Sequence, residues 1–345
     1  MQKPSVYPLY EPGISCPAIL GHPLPRESQT PSLSCIVPAY NEANNLRLLL
    51  PEILALLSAM SPQVELIVVD DGSTDDTALV MHGLCAAHPR LIYLQLSRNF
   101  GKEVALTAGL DIAGGTVTIM MDADGQHPSN LLAPMLAKWR EGFDVVYAVR
   151  KTRSDQSALQ ARLTRLFYVL INWRGRVEIP ADAGDFRLMD RKVVDALKRL
   201  PERGRFMKGL YAWVGFRTEK IEYVPMVRKD GASKFGIRRA ASLALTGMLA
   251  FSTAPLRLTT WLGVALSFGS VGFGLWEVLS YFIQDQPVPG YATIVVGMMF
   301  LSGMQLLAIG VLAEYIGRIY EEVKHRPIYL VAQRTGDGLT GCSGS

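Results

Sequence analysis

Two carboxylates and an amide lie close together in Asp122-Ala123-Asp124-Gly125-Gln126, directly after the apolar run Thr116–Met121. Oxygen ligands at this spacing suit a divalent cation such as Mg²⁺ or Mn²⁺, and a cation held in this way can bind a diphosphate. An ordinary strand followed by an Asp-Gly turn has the same sequence. The metal interpretation, with Asp122, Asp124 and Gln126 as ligands, therefore depends on what lies beside this segment.

The elements that must position these residues alternate along the first half of the chain. Short β-rich runs occupy Leu33–Val37, Val64–Val69, Leu91–Leu96, Val117–Met121 and Val145–Val149. Between them, apolar residues recur at helical spacing in Ala43–Ser58, Asp75–Ala87, Lys102–Ile112 and Asn130–Arg140. Strands that alternate with helices predict an α/β domain with a mostly parallel central sheet covered on both faces.

Polar residues follow four of these predicted strands, at Pro38–Glu42, Asp70 and Asp71, Ser97–Lys102, and Asp122–Gln126. Ligands of such sheets bind beyond the carboxyl ends of the strands. We therefore expect the four clusters to converge on one crevice. His127 also follows the fourth strand, but a histidine before Pro128 is more often a turn residue, so it is left out of the predicted ligand set.

Two of the clusters have the side chains that a nucleoside needs. The ring of Tyr40 can stack on a base, and the carboxylates of Glu42 and Asp71 can accept hydrogen bonds from a base or a ribose. Helix capping is the alternative reading, with Asn41 as the cap of the first helix and Ser73 or Thr74 as that of the second.

The composition places part of the chain in a membrane. Of 345 residues 49% are hydrophobic and 19% are charged, which is apolar for a soluble enzyme of this length. The net charge of +4 gives no reason to expect nucleic acid as a partner. The four cysteines lie in unrelated contexts without metal-binding spacing, which indicates reduced thiols in the cytosol.

Two segments, Leu258–Phe282 and Tyr291–Leu312, are long enough to span a bilayer, with one acidic interruption at Glu277. The connection Gln284–Gly290 contains no Lys or Arg, whereas basic residues flank the pair on both outer sides. This asymmetry predicts a two-span hairpin in the inner membrane, with the catalytic domain and both termini cytoplasmic. A hairpin buried in a soluble core is the alternative.

Two further segments are predicted to lie along the membrane surface. Residues 157–175 carry one apolar stripe with arginines on other faces, and residues 233–257 form a second, juxtamembrane candidate. A helix packed against the sheet would show the same stripe. Between the two ends of the chain, residues 32–232 form the catalytic domain and residues 258–313 form the two transmembrane helices.

Both ends of the chain are predicted to be disordered. Residues 1–31 contain seven prolines, and residues 314–345 end in a Gly-rich tail after a cytoplasmic helix. The tail contains Gly336-Asp337-Gly338-Leu339-Thr340-Gly341, a formal Gly-x-Gly-x-x-Gly. We reject it as a nucleotide site because no predicted strand leads into it and only four residues follow.

Several motifs occur in the order and spacing of one enzyme family. Ile36–Glu42, Val69–Asp75, Arg98–Lys102 and Asp122–Gln126 resemble the family-two inverting glycosyltransferases of GT-A-like fold. Asp182–Leu188, Leu200–Arg203, Phe206–Gly209 and Trp213–Gly215 resemble the polyisoprenyl-phosphate glycosyltransferases, most closely the bactoprenol glucosyltransferase branch beside the dolichol-phosphate mannose synthases. The resemblance covers roughly residues 33 to 330, and several motifs in order are far more specific than one.

The resemblance implies roles for individual residues. Asp122, Asp124 and Gln126 would hold the metal, Mg²⁺ or Mn²⁺, with Asp124 also counted as catalytic. The residues implied to bind the nucleotide sugar, a UDP-hexose, are Pro38, Tyr40, Glu42, Asp71, Lys102, Asp122 and Lys234.

The acceptor would be a polyisoprenyl phosphate, which needs positive charge between the sheet and the membrane. The residues predicted to bind its phosphate are Arg150, Arg187, Arg205, Lys208, Arg228 and Ser233. A phosphomonoester is largely dianionic at neutral pH and is a competent nucleophile. The resemblance points to Asp185 as a candidate base, and the physical alternative is that Asp185 orients Arg187 or Lys208.

The resulting prediction is an inverting transfer of a hexose, glucose from UDP-glucose, to undecaprenyl phosphate on the cytoplasmic face of the membrane. One alternative is another donor, such as an aminoarabinose derivative or GDP-mannose, and another is a non-catalytic scaffold or flippase subunit. A processive polysaccharide synthase is disfavoured because the chain lacks a Gln-x-x-Arg-Trp motif. Gly297, Gly303 and Gly310 give the second span a small-residue face that suits a homo-oligomer.

Overall fold

The structure, a computed structural model, describes residue 26 and residues 30–150, 183–200, 202–223, 254–284 and 290–339. The predicted interfacial helix 157–175 lies outside these residues, as do positions 233–253 of the juxtamembrane segment. So do three of the predicted site residues, Arg228, Ser233 and Lys234. Arg150 is described as part of a strand, without its side chain.

The first half of the chain folds as the alternation predicts. Its elements are β1 (Leu33–Ala39), α1 (Ala43–Met60), β2 (Val64–Asp70), α2 (Thr77–Ala87), β3 (Leu91–Leu96), α3 (Lys102–Ile112), β4 (Val117–Met120), α4 (Leu132–Arg140) and β5 (Val145–Arg150). A 3-10 turn, Ser129–Leu131, leads into α4. The predicted strands and helices of this half are confirmed, with small shifts at their ends.

The later elements include three strands that the sequence patterns did not predict. In chain order they are β6 (Ala183–Asp190), α5 (Arg191–Lys198), α6 (Met207–Trp213), β7 (Thr218–Tyr223), α7 (Ala254–Gln284), α8 (Tyr291–Val323) and β8 (Val331–Thr335). The unpredicted strands are β6, β7 and β8. β6 and β7 carry charged residues between their apolar ones, and the side chains of β8 are mostly exposed, so none of the three has the apolar run of a central strand.

Eight strands form one sheet in the order β7-β5-β6-β4-β1-β2-β3-β8. The pairs β1·β2, β1·β4, β2·β3 and β5·β7 are parallel, and β6 and β8 run antiparallel to their neighbours. This confirms the predicted α/β class with a mostly parallel sheet. Because β6 pairs Arg187 with Met120, the first residues of β6 lie beside the last residue of β4 and the Asp122 segment that follows it.

Two apolar layers cover the sheet, because successive residues of a strand point to opposite faces. Val37 and Cys35 of β1 pack with α1, α2 and α4 on one face, and Ile36 packs with α3, α5 and α6 on the other. The strands β1 and β2 are buried over their full length. This rigid centre fixes the strand ends from which the polar loops extend.

Residue 26, which lies within the predicted Pro-rich extension 1–31, contacts the catalytic domain. The Arg26 guanidinium lies 2.8 Å from Asp144 and 3.2 Å from Asp190, and it stacks over the Trp139 ring. Its backbone N–H also donates to the carbonyl of Arg140. Sequence patterns could not identify the contacts of Arg26, because one arginine in a Pro-rich segment forms no periodic pattern.

Residues 331–335 form β8 along the edge of the sheet, directly before the Gly-rich tail that is predicted to begin at Thr335. A strand therefore does lead into Gly336, contrary to the reason given for rejecting Gly336–Gly341 as a nucleotide site. Within the described residues, which end at position 339, no helix follows this strand. The segment therefore does not have the strand-turn-helix geometry of a dinucleotide site.

Helices α7 and α8 form the C-terminal hairpin, and their apolar side chains are widely exposed, as shown by Phe268 (75%) and Met299 (72%). Exposed apolar surface of this extent fits a lipid environment. Among the described residues, one segment, Val296–Val323 of α8, is long and apolar enough to cross a membrane. The prediction of two spans therefore stays a prediction.

Two helical glycines of the catalytic domain give a matched test of how the helices pack on the sheet. A Cβ at Gly109 of α3 would lie 2.4 Å from Ile36 Cγ2, whereas a Cβ at Gly83 of α2 would meet nothing within 4 Å. We expect Gly109→Ala to destabilise the protein by about 1–3 kcal/mol through overpacking. We expect Gly83→Ala to stabilise it by about 0.5–1 kcal/mol through helix propensity. Denaturation midpoints of the two detergent-solubilised variants measure both, and equal shifts would contradict this packing of α3 on β1.

Candidate functional site

The Asp122 segment leaves the end of β4 in the middle of the sheet. Its turn contains Gly125 at φ +67°, a conformation that favours glycine. Ligand atoms of Asp122, Asp124 and His127 all lie within 4.8 Å of one another. The Gln126 backbone N–H donates to Asp124 Oδ1 at 3.1 Å, which closes the turn. Asp122 and Asp124 are thus together as predicted.

Lys102 lies between two acidic residues of the site. Its Nζ is 2.7 Å from Asp122 Oδ1 and 2.7 Å from Asp185 Oδ2. The three residues come from different elements, since Lys102 begins α3, Asp122 follows β4 and Asp185 lies near the start of β6. The antiparallel insertion of β6 is what brings Asp185 to this edge. The predicted nucleotide-sugar residue and the predicted base are therefore in direct contact.

These contacts determine the charge states of the three groups. Burial alone would raise the pKa of Asp122, but the charge of Lys102 and the hydrogen bond from His127 hold it far below its usual range. Burial would likewise raise the pKa of Asp185, and Lys102 outweighs it, so that pKa is also lowered. Burial would lower the pKa of Lys102, but Asp122 and Asp185 raise it well above its usual value. Both carboxylates and the ammonium are therefore ionised at neutral pH.

His127, which the sequence analysis left out, belongs to the cluster. Its Nε2 lies 3.4 Å from Asp122 Oδ2, and its Nδ1 lies 3.2 Å from the Tyr223 hydroxyl at the end of β7. The ring is 6% exposed and packs against Phe186 at 4.7 Å between centroids. The only sequence signal was its position five residues after Asp122.

Glu103 is a second residue that the sequence analysis missed. One of its oxygens, Oε2, accepts the N–H of Met207, the first residue of α6, at 3.1 Å. Burial and the neighbouring charge of Asp185 raise the pKa of Glu103 to about 7. It follows Lys102 directly and lies in the first turn of α3, so its place beside a predicted site residue was its signal.

The nucleotide side of the crevice is built from the ends of β2 and β3. Asp71 accepts the backbone N–H groups of Phe100 at 2.7 Å and Gly101 at 2.8 Å. Asp71 thus holds the loop that leads into Lys102. A carboxylate oxygen has a second acceptor position, so the predicted contact of Asp71 with a base or ribose stays a prediction.

The polar residues after β1 and β2 do not cap helices in the way that the alternative reading of the sequence expects. Asn41 does not cap α1, because its Oδ1 accepts the N–H of Thr74 at 2.8 Å and its own N–H donates to the hydroxyl of Ser73 at 2.9 Å. Ser73 and Thr74 therefore do not cap α2 either; Asp75 accepts the N–H of Thr77 there. These contacts join the loops after β1 and β2 into one wall of the crevice.

The other predicted nucleotide residues lie on that wall. Pro38 is in β1, and the ring of Tyr40 is 38% exposed, so its face is available for stacking. The Glu42 carboxylate accepts from Asn45 Nδ2 at 2.5 Å in the first turn of α1. Their contacts with a nucleotide stay predictions.

Arg187 is buried against an aromatic ring. Its side chain is 3% exposed, it donates to the carbonyl of Gly184 at 2.7 Å, and its guanidinium lies 3.4 Å from the centroid of the Tyr211 ring. The alternating pattern of β6 turns Arg187 into the apolar layer beneath the sheet. Asp185 is one of the charges that act on the buried Arg187, so its orientation by Asp185 and its contact with the acceptor phosphate stay predictions.

Arg205 contacts the end of a helix, and its predicted contact with the acceptor phosphate stays a prediction. It donates to the carbonyls of Leu197 and Leu200, at 3.5 and 3.0 Å, at the C-terminal end of α5. Cations stabilise that end of a helix. Lys208 remains a candidate, because it lies within α6 beside Asp185 and Glu103, and burial lowers its pKa against the raising effect of those two carboxylates.

The donor set suits a divalent cation. Asp122 and Asp124 provide carboxylate oxygens, which Mg²⁺ and Mn²⁺ prefer, and His127 provides a ring nitrogen at the same point. In addition, Asp185 Oδ1 is buried and has no hydrogen-bond partner among the described residues. Gln126, the third predicted ligand, lies in the same turn, with its backbone bonded to Asp124.

Lys102 and a divalent cation would compete for Asp122, which gives a prediction independent of turnover. We expect Lys102→Met to raise the affinity for Mn²⁺, without nucleotide, at least about tenfold, because a partly exposed positive charge 2.7 Å from the ligand Asp122 is removed. Lys102→Arg keeps the charge and is the control, with little change expected. Isothermal titration with Mn²⁺ measures both variants, and weaker binding by Lys102→Met would contradict the competition.

Comparison with known families gives two matches. Residues 34–198 match glycosyl transferase family 2, and residues 254–319 match the GtrB C-terminal hairpin. The first range contains the sheet and the Asp122 segment, and the second contains α7 and most of α8.

Curated relatives are similar over nearly the whole chain. An uncharacterised glycosyltransferase of Synechocystis is 42% identical, covering 89% of this chain and 96% of the relative. The bactoprenol glucosyl transferase of Shigella phage SfV is 40% identical, covering 87% and 97%. A prophage bactoprenol glucosyl transferase homologue of Escherichia coli is 39% identical, covering 87% and 98%.

A solved structure is more distantly similar. The mannosyltransferase of Pyrobaculum calidifontis, in complex with GDP-Man and Mn²⁺, is 17% identical with a TM-score of 0.44, covering 85% of this chain and 89% of that one. That degree of similarity is too low to transfer either ligand. The curated relatives establish the family, because their sequences are about 40% identical to this chain over nearly 90% of its length. This chain therefore belongs to the family-2 glycosyltransferases that carry a GtrB-type C-terminal hairpin, and it is a glycosyltransferase.

Proposed function

We propose that this glycosyltransferase transfers a hexose, glucose from UDP-glucose, to a polyisoprenyl phosphate such as undecaprenyl phosphate, with inversion at the anomeric carbon. The names of the relatives support the sugar and the lipid, since several are bactoprenol glucosyl transferases at about 40% identity. The hairpin of α7 and α8 supports a lipid acceptor, because it holds the catalytic domain at a membrane.

One observation of the site carries the proposal: Lys102 joins the carboxylate cluster to Asp185 at 2.7 Å on each side. The cluster suits a diphosphate with its cation, and Asp185 marks the place where the sugar and the acceptor meet. A scaffold protein would gain nothing from buried like charges that repel each other. The arrangement is therefore that of a reaction centre.

The residues act by binding and orientation. A divalent cation, Mg²⁺ or Mn²⁺, would be held by Asp122, Asp124 and His127 or Gln126 and would neutralise charge on the diphosphate. Lys102 orients Asp122 and Asp185, and Asp71 holds the loop that carries Lys102. Lys208, whose pKa burial lowers, provides a desolvated positive charge beside Asp185 for the acceptor phosphate. The dianionic acceptor needs positioning more than deprotonation.

Asp185 is proposed to position the reactants and not to act as a strong base. Lys102 lowers the pKa of Asp185, and a carboxylate with a low pKa accepts a proton weakly. Its unpaired Oδ1 can instead accept a hydrogen bond from a hydroxyl of the donor sugar. The alternative in which Asp185 orients Arg187 or Lys208 is kept, because residues 185 and 187 lie on the same face of β6 and the charge of Asp185 acts on both cations.

The proposed location is the inner membrane, with two spans and the catalytic domain on the cytoplasmic side. The Lys and Arg residues that flank the hairpin, and the connection Gln284–Gly290 without any, support this orientation. A homo-oligomer built on the glycine face of α8 is also proposed. A Cβ at Gly303 or Gly310 would meet nothing within 4 Å, which leaves that face open for a helix.

A transfer assay tests the function. Purified protein is incubated with Mg²⁺, undecaprenyl phosphate and a panel of radiolabelled UDP- and GDP-sugars, and the lipid fraction is extracted. We expect label in the lipid with UDP-glucose, and a loss of at least about a hundredfold in Asp124→Ala, because a ligand of the diphosphate's cation is removed. Asp195→Ala, an exposed carboxylate on α5, is the control. If none of the sugars labels the lipid, the transferase function is excluded. If only another sugar labels it, the proposed donor is wrong.

The pH dependence separates the two roles of Asp185. Its pKa is lowered, so Asp185 stays ionised where the acceptor phosphate loses its second charge, and wild-type activity should fall only as that phosphate is protonated near pH 6. We expect Asp185→Asn to lower kcat at least about a hundredfold and to keep the same acid limb. Partial recovery of the variant at pH 9 would instead show that Asp185 is a base.

A further inference from the structure

The residues that follow the membrane helix bind back onto the catalytic domain. Residues 322–339, which we call the C-terminal strap, include the last turn of α8 and the strand β8. They lie beyond residues 34–198 and 254–319, the ranges of the two family matches. The strap contacts the domain at three places.

The first contact joins α8 to the loop before α6. Glu322 Oε1 accepts the backbone N–H of Arg203 at 2.8 Å, and the Arg203 guanidinium donates to the carbonyl of Arg326. The membrane hairpin therefore ends on the catalytic domain through reciprocal hydrogen bonds. Only a few residues separate this contact from β8.

The second contact reaches the segment that carries Lys102. The carbonyl of Leu330 accepts the N–H of Ser97 at 2.9 Å, at the start of the loop that leads to α3. The Tyr329 hydroxyl donates to Asp111 Oδ2 at 2.8 Å, near the end of α3. The strap thus holds residues both before and after Lys102.

The third contact closes the strap on a buried carboxylate. Leu339 N–H donates to Glu65 Oε2 at 2.7 Å, while Glu65 Oε1 accepts the N–H of Gly114 at 2.7 Å. Glu65 is 0% exposed, and Gly114 comes directly after the end of α3. Gly338, at φ +64°, lies so close that a Cβ would be 2.5 Å from Glu65 Oε2. The end of the strap and the end of α3 therefore share one anchor.

We propose that the C-terminal strap is a positioning element of the active site. It holds loop 97–101 and α3 at a fixed position relative to the membrane helix α8, and thereby fixes the position of Lys102. As far as catalysis is concerned, this rests on the proposed function. Loop 97–101 is the one whose Phe100 and Gly101 amides bind Asp71. The strap therefore acts on the donor side of the crevice, through the edge strand β8 that pairs with β3.

The strap is not needed to complete the core. Four of the five residues of β8 are exposed, and Leu330 and Val331 are 56% and 46% exposed. Apart from Tyr329, which packs against the apolar layer of α3, its contacts are mainly backbone hydrogen bonds and single polar side chains, and the two apolar layers are formed by other elements. Release of the strap should therefore leave the domain folded, so that an effect on the site can be measured separately.

Two glycines of the same backbone conformation give a matched pair of variants. Gly338→Ala places a Cβ 2.4 Å from Ile92 Cδ1, while Gly215, at φ +67°, has its nearest neighbour, the carbonyl oxygen of Trp213, at 3.9 Å. Both substitutions cost backbone strain, but only the first releases the strap. A chain that ends at Tyr329 removes β8 entirely and is the second variant.

Amide hydrogen exchange of the full-length protein and of these variants tests the proposal without turnover. We expect exchange at Phe100 and Gly101 to accelerate at least about tenfold in Gly338→Ala and in the shortened chain, with β1 unchanged and Gly215→Ala like the wild type. Unchanged exchange at Phe100 and Gly101 in the shortened chain, or equal acceleration at β1, would overturn it.

Steady-state kinetics then separates positioning from simple loss of folded protein. We expect both strap variants to raise KM for the nucleotide sugar about three- to tenfold, with KM for the lipid acceptor unchanged, because loop 97–101 serves the donor. A fall in kcat alone, with both KM values kept, would show a structural role only. If no sugar is transferred by the wild type, the proposed function fails while the exchange experiment still decides the role of the strap.

Discussion

The contact of Lys102 with Asp122 and Asp185 is the interaction on which the arrangement of the site depends. Two carboxylates brought this close repel one another and lose hydration, so their charged forms persist only with a positive partner between them. Lys102 lies 2.7 Å from each. Each neighbouring feature can be understood from this need. Asp71 fixes the loop before Lys102, β6 runs antiparallel so that Asp185 reaches it, and His127 holds the far oxygen of Asp122.

A buried charge network also explains why several nearby polar residues are structural. Glu103 caps α6, and Arg187 stacks on Tyr211, both next to the reactive centre. Groups of this kind fix the angles between α3, α6 and β6, and hence the distance between Lys102 and Asp185. Positioning of reacting groups within a fraction of an ångström is where much of the catalytic effect of an enzyme arises.

Sequence patterns predicted the parts of the molecule that local rules determine. Strands and helices alternate regularly from β1 to β5, and polar clusters follow four of the five predicted strands. The crevice and the Asp122–Asp124 pair were predicted from this pattern. β6, β7 and β8 were missed because partly exposed strands and strands with charged residues lack an apolar run. The roles of His127, Glu103 and Arg187 depend on which face of a strand or turn each side chain leaves, and on partners tens of residues away. Arg26 and the strap bind by single long-range contacts, which spacing cannot reveal.

The reversed direction of β6 has a consequence for how such enzymes diversify. Because β5 ends and β6 begins at the crevice edge, where Val149 pairs with Ala183, the chain between these strands leaves and re-joins the fold at one place. The segment after β7 also starts at that edge, since β7 is parallel to β5. Changes in either segment leave the pairing of β1 to β4 untouched. On the proposed roles of these parts, acceptor preference can therefore change separately from nucleotide recognition, through segments that join the sheet at a single border.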